Sequence, residues 1–309
     1  MRRNLMNHAA IGLARLLRMA VACLILAGST IANAQPPTQQ AEFWSSLFGV
    51  DREQTLSAQP ELLAAGLAEL LPQRPGVVDL YFVAFAGTST QDVFMKEVRS
   101  AQGLFDQRFD TAGRSLLLVN NPRTVNDLPV ASNDNLRAAL TGVAGKMNVE
   151  EDILFLYLTS HGGRHVFSVH FPELGLADLR DTELRAILDR SGIKWRVLVI
   201  SACYSGSFVD ALKNEHTLIL TAAAANRTSF GCSNENDFTY FGDAYINTAL
   251  RRDFSFVTAF DQARRIIVAR EKAEHLTPSQ PQIYVGKAIK AKLQQLEHRL
   301  AKSHIAATR

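Results

Sequence analysis

The stretch Asp152–Thr159 reads DILFLYLT, apolar at nearly every position, and runs straight into Ser160-His161-Gly162-Gly163. A strand with one wet face alternates; a strand without alternation is buried on both faces, as a central parallel strand is. This constrains the chain more than any other feature, because parallel strands need crossover connections and covering layers on both sides. The flanking sequence supplies them. Val77–Ala86, Ser115–Val119, Arg196–Ile200 and Thr217–Ala222 read as further strands, with Gln282–Val285 as a last edge strand. Asp92–Phe109, Asn133–Met147 (with Ser132 as cap), Asp178–Ser191, Ser207–Asn214, Thr239–Arg251, Phe254–Ala273 and Lys287–Lys302 read as helices. His165–Phe171 suggests a small hairpin. The expected fold is α/β in three layers, a mostly parallel central sheet with helices on both faces.

Ahead of this body, residues 1–34 carry four arginines and no acid, and Met19–Ala32 runs apolar and small before Ala32-Asn33-Ala34. Fourteen such residues fall short of the about 20 that span a bilayer, so the segment reads as a signal peptide cleaved near Ala34. An uncleaved inner-membrane anchor is the alternative. No later stretch is long and apolar enough to cross a membrane, and the chain is expected to be exported, periplasmic or secreted. Residues 35–76 read as a linker with a helical extension, its patterns around Phe43–Phe48 and Leu62–Leu71 punctuated by Pro60 and Pro72. Residues 77–302 form the expected domain and 303–309 a tail.

The formal charge of +3 belongs to the leader: without residues 1–34, 29 basic groups face 30 acidic ones. A nucleic-acid partner drawn by bulk charge loses its support. Of three cysteines, only Cys203 and Cys232 lie beyond the leader. They either pair with each other, or at least one is kept for its reactivity.

In an open α/β sheet, ligands bind outside the carboxyl ends of the strands. Two strands here end in reactive residues: DILFLYLT in His161, and RVLVI in Ser201-Ala202-Cys203-Tyr204-Ser205-Gly206. If those strands are neighbours, His161 and Cys203 emerge on one edge although 42 residues apart. A cysteine between a strand end and a helix start sits near amide N–H groups and the positive dipole end, which favour thiolate, the form that attacks a carbonyl. Gly162 and Gly163 let a substrate backbone approach and leave N–H groups for an oxyanion. His161, His165 and His170 do not have ligand spacing, and neither a metal nor a cofactor is expected. The Phe94/Val98/Leu104/Phe105 pattern is helix core.

Strand-His-Gly, then strand-x-Ala-Cys-x-Ser-Gly, resembles the legumain (asparaginyl endopeptidase) family of cysteine peptidases, which have a caspase-like fold. Thr228-Ser229-Phe230-Gly231-Cys232 and Tyr240-Phe241-Gly242-Asp243 resemble that family's segment after the nucleophile, and the similarity covers about residues 77–285. The resemblance implies His161 as catalytic histidine and Cys203 as nucleophile. It implies an oxyanion hole from the Gly162 and Cys203 N–H groups, a substrate strand paired at Thr228–Phe230 around Ser229, and Asp243 in the pocket before the cut. Two departures stand out. Ser201 replaces an acid two residues before the nucleophile, and Gly87–Asp92 (GTSTQD) lacks the family's Arg-His pair. The histidine-orienting asparagine has no counterpart, so Thr88, Ser89 or Thr90 would have to stand in. The activity implied is peptide-bond hydrolysis through a thioester, on a peptide or protein substrate, with a preference not strictly asparaginyl. Two alternatives remain open: a transpeptidase or transamidase variant, and a non-catalytic peptide-binding module on the same fold.

Overall fold

The computed structural model describes residues 49–307. The expected leader, the linker as far as the Phe43–Phe48 pattern, and the last two residues of the tail lie outside that range. Two helices open it, α1 (Arg52–Ser57) and α2 (Gln59–Ala68). Pro60 does not break the pattern, because it falls in the first turn of α2, where a missing N–H costs nothing. Then come β1 (Leu80–Ala86), α3 (Asp92–Arg108), β2 (Ser115–Val119), α4 (Asn133–Ala144) and β3 (Ile153–Thr159). Ser132 caps α4, its side chain accepting from the Asn135 N–H, as its position before the apolar run predicts.

Two-residue strands β4 (Gly162–Gly163), β5 (Val166–Phe167) and β6 (Leu179–Arg180) form a separate antiparallel sheet. Where the sequence suggests one hairpin, the structure pairs a third strand taken from the start of the expected helix. That helix, α5, accordingly begins at Asp181 and ends at Arg190. After it come β7 (Trp195–Ser201), a 3-10 turn (Ser205–Phe208) into α6 (Val209–Leu212), and β8 (Thr217–Thr221). One turn of α-helix, α7 (Tyr240–Gly242), leads into a π-helix (Asp243–Ala249). The last elements are α8 (Phe256–Ala273), β9 (Gln282–Val285) and α9 (Ile289–Ala307).

The main sheet has the order β2-β1-β3-β7-β8-β9, all parallel except β9, which pairs antiparallel with β8. Every residue of β1 and β3 is buried, as sequence without alternation demands. Two cores lie on the two faces. One joins Phe82, Phe105, Phe155, Tyr245, Phe256 and Leu296 under α3, the π-helix, α8 and α9. The other joins Tyr81, Val83, Leu140, Leu156, Leu188 and Leu198 under α4 and α5. The three-layer α/β expectation holds. Among the described residues no helix is long and apolar enough to cross a membrane.

Candidate active site

The β3–β7 register fixes the geometry. Thr159 pairs with Ser201, so His161 and Cys203 each stand two residues past the same rung of two neighbouring parallel strands. The Ser160 N–H donates to the Ser201 carbonyl (3.1 Å) and carries the alignment one residue beyond the ladder. Gly162 then lies against the nucleophile's own backbone. A Cβ there would stand 2.5 Å from the Cys203 carbonyl oxygen and 3.0 Å from the Ala202 methyl, so only glycine fits. A further link joins the two turns: Ser207 Oγ donates to the Tyr204 carbonyl (2.7 Å) and accepts from the His165 N–H (2.8 Å).

Cys203 is half-buried, and the Ser229 N–H points at its sulfur, 3.3 Å from Sγ. The Ser229 carbonyl and hydroxyl lie 3.6 and 3.7 Å from the same atom. The expected helix after Cys203 is cut short. The serine hydroxyls and the backbone bonds of this turn hold a 3-10 conformation, and α6 has only four residues. So short a helix sums few peptide dipoles to act at Cys203. The Ser229 N–H is the local donor instead. Tyr204 follows in the left-handed region (φ 57°), its N–H donating to the Arg227 carbonyl (2.7 Å). The Cys203 N–H has no partner among the described residues.

Gly162 offers a second N–H. Ser168 N–H donates to the His161 carbonyl (3.0 Å), which makes Gly162 and Phe167 the next, non-hydrogen-bonded pair of the small ladder. Both cysteines among the described residues are free thiols, and burial pushes the Cys232 thiol up to about 12.

The side chain that meets His161 is Gln91, where the sequence offers only Thr88, Ser89 or Thr90 to stand in for the missing asparagine. Gln91 Oε1 lies 2.9 Å from His161 Nε2. An amide oxygen only accepts, so Nε2 carries the proton and Nδ1 keeps its lone pair. Thr90 Oγ1 donates to the same oxygen (2.9 Å), with Thr88 Oγ1 3.3 Å behind it, so the threonines act through Gln91. A sequence signal exists: Gln91 occupies the N-cap of α3 with its side chain free of capping. Phe94 packs edge-on against the imidazole, centroids 5.3 Å apart. Burial, and then the nearby His170, lower the His161 pKa. The imidazole thus stays neutral to lower pH than an ordinary histidine.

Beneath the two strand ends lies a carboxylate that the sequence reading did not single out. Glu97 of α3 is fully buried. Its Oε1 accepts from the Tyr157 hydroxyl (2.5 Å) and Thr159 Oγ1 (2.7 Å), and its Oε2 from the Thr239 N–H (2.7 Å) and Thr239 Oγ1 (2.9 Å). Burial raises its pKa, against the lowering effect of those four donors. Ser201 Oγ lies 3.3 Å from Thr239 Oγ1, which itself bonds Glu97. The glycine of Tyr240-Phe241-Gly242-Asp243 now has a physical reason, because a Cβ at Gly242 would stand 2.0 Å from Glu97 Oε2. Asp243 itself accepts from Asn247 Nδ2 (2.9 Å) and lies 3.7 Å from Arg270. No hydrogen bond or ion pair among the described residues joins it to His161, Ser201 or Cys203, which the structure does gather with Gly162 and Ser229.

A thiol and an oriented imidazole at adjacent ends of parallel strands, with glycine between them, define a class of α/β proteins with a nucleophile at the sheet edge. The chain belongs to the peptidase C13 family, the legumain family of cysteine peptidases, whose model matches residues 130–292 and so takes in His161, Gly162, Ser201, Cys203, Ser229 and Asp243. Gln91 and Glu97 lie outside that range. Among solved structures, the chain is similar to caspase-1 from Spodoptera frugiperda at 11% identity and a TM-score of 0.47, over 70% of this chain and 92% of that one. No curated protein matches it.

Proposed function

We propose that the chain is an exported cysteine endopeptidase that hydrolyses peptide bonds through Cys203 and His161. The observation that carries this reading is the shared rung below both residues, with Gly162 seated on the Cys203 carbonyl. His161 Nδ1 takes the Sγ proton as sulfur attacks the scissile carbonyl carbon; the C–S bond forms and the carbonyl π pair moves onto oxygen. The Cys203 and Gly162 N–H groups receive that oxyanion. As the carbonyl re-forms, the C–N bond breaks and His161 returns its proton to the leaving amine. Water then attacks the thioester, its proton passing to His161, and the carboxylic acid leaves as Sγ is reprotonated. Gln91 holds the ring in the tautomer this needs, and the Ser229 N–H supports negative charge on sulfur.

The acid limb of kcat/KM is expected below the ordinary histidine value of about 6.5, because both causes acting on His161 lower its pKa. His170→Gln removes the neighbour whose electrostatic effect lowers the His161 pKa, and should move that limb upward. A limb that stays in place, or moves down, contradicts the assignment of the limb to His161.

Cleavage of a diverse peptide library, with Cys203→Ala alongside, tests the activity. The account expects cleavage that is lost in the variant, with a residue preference not confined to asparagine. Ser201 stands where the resemblance puts an acid, and the nearby Glu97 carboxyl is already taken up by Thr239, so a substrate amide would leave a polar group unpaired at a cost of about 1–3 kcal/mol. Near-exclusive cleavage after asparagine would contradict that part. Export rests on the sequence of residues 1–34, and an exported chain beginning at Gln35 is the expected result of N-terminal sequencing.

A further inference from the structure

Next to Gln91 in sequence, Ser89, Thr90 and Asp92 line a cavity of about 430 Å³ together with Arg123 and Glu173, among others. Its charges do not balance. Asp92 is engaged by Arg123 (3.0 Å) and Asn121 Nδ2 (2.9 Å). Among the described residues, Glu173 is 8% exposed, its Oε2 is enclosed without a hydrogen-bond partner, and no ion pair reaches it. Buried carboxylates are ordinarily paired or hydrogen-bonded, and one left bare in a cavity wall stands ready for a donor that arrives from outside.

We propose that this cavity is a substrate subsite for a basic side chain, a guanidinium or ammonium that Glu173 receives. Its occupant belongs to the peptide being cut, because the wall is shared with the catalytic apparatus: Thr90 lines the cavity and donates to the Gln91 oxygen that holds His161. The opposite wall is tied to the same place, with Ser89 N–H donating to the His170 carbonyl (2.9 Å) three residues before Glu173. Arginine suits the site best, since its planar fork supplies paired donors to one carboxylate. The assignment rests on the peptidase reading above.

Paired fluorogenic peptides carrying arginine or its neutral isostere citrulline, moved through the positions flanking the cut, test it. Wild type should prefer arginine at one position by about tenfold or more in kcat/KM, the scale of a charge-assisted hydrogen bond. In Glu173→Gln that preference should fall below about twofold. Arg123→Gln, which removes the competing cation and frees Asp92, should hold or raise the preference even if Glu173→Gln fails to fold. No arginine preference in a wild type that cleaves these peptides, or one unchanged in folded Glu173→Gln or lowered in Arg123→Gln, overturns the subsite. Fluorescence anisotropy of the same peptides on the Cys203→Ala protein separates the two readings. Glu173-dependent binding of the arginine peptides without wild-type cleavage upholds the subsite and defeats the peptidase; cleavage without preference does the reverse.

Discussion

Replacing Cys203 with alanine should lower kcat/KM for peptide hydrolysis by about 10⁵ or more while leaving the fold intact. Sγ forms the covalent bond, and removal of a nucleophile that acts as a unit with its base typically costs four to six orders of magnitude. His161→Ala should cost a similar factor, and the double variant little more, because either loss already disables the same step. The fold should survive because the half-buried thiol meets only Ser229 by hydrogen bonding and lies past the last rung of β7. Wild-type activity in Cys203→Ala, or full additivity of the two losses, would contradict a shared step.

The second large effect is on stability. Glu97 gathers four hydrogen bonds from β3 and Thr239 in a fully buried place, and Glu97→Ala leaves all four donors without it. Such a loss is expected to cost about 3 kcal/mol or more, a fall in Tm of roughly 6–10 °C for a domain of this size. Glu97→Gln should be much milder, at about 1 kcal/mol. Its amide oxygen can face the Thr239 N–H, which only donates, while its NH₂ faces the Tyr157 and Thr159 hydroxyls, which can turn to accept. Equal losses in the two variants, read by thermal unfolding, would show that shape and not hydrogen bonding holds this place.

Much of this arrangement was legible in the residues. DILFLYLT and RVLVI announce their burial, and α/β alternation puts their carboxyl ends on one edge; only the pairing register, a long-range property, had to come from the structure. Helices were read correctly where periodicity ran long, as in α3 and α8, and poorly where side chains compete for the backbone. The serines around Gly206 bond to nearby carbonyls and shorten the expected helix to α6. Nothing in local propensity separates the π-helix Asp243–Ala249 from an α-helix. Gln91 went unread because any amide in that loop could meet the imidazole. Glu97 left a plainer trace: it falls between Phe94 and Val98 on the apolar stripe of α3, and an acid there must be buried with donors around it.

A peptidyl acyloxymethyl ketone, which alkylates a thiol only when that thiol attacks beside a bound peptide, tests the central claim most directly. Intact-mass and peptide mapping should place one adduct on Cys203 and none on Cys232, whose thiol burial holds protonated at about 12. Labelling should vanish in Cys203→Ala and fall sharply in His161→Ala. An adduct on Cys232, or labelling of Cys203 at the same rate with His161 removed, would contradict a peptidase built on these two residues.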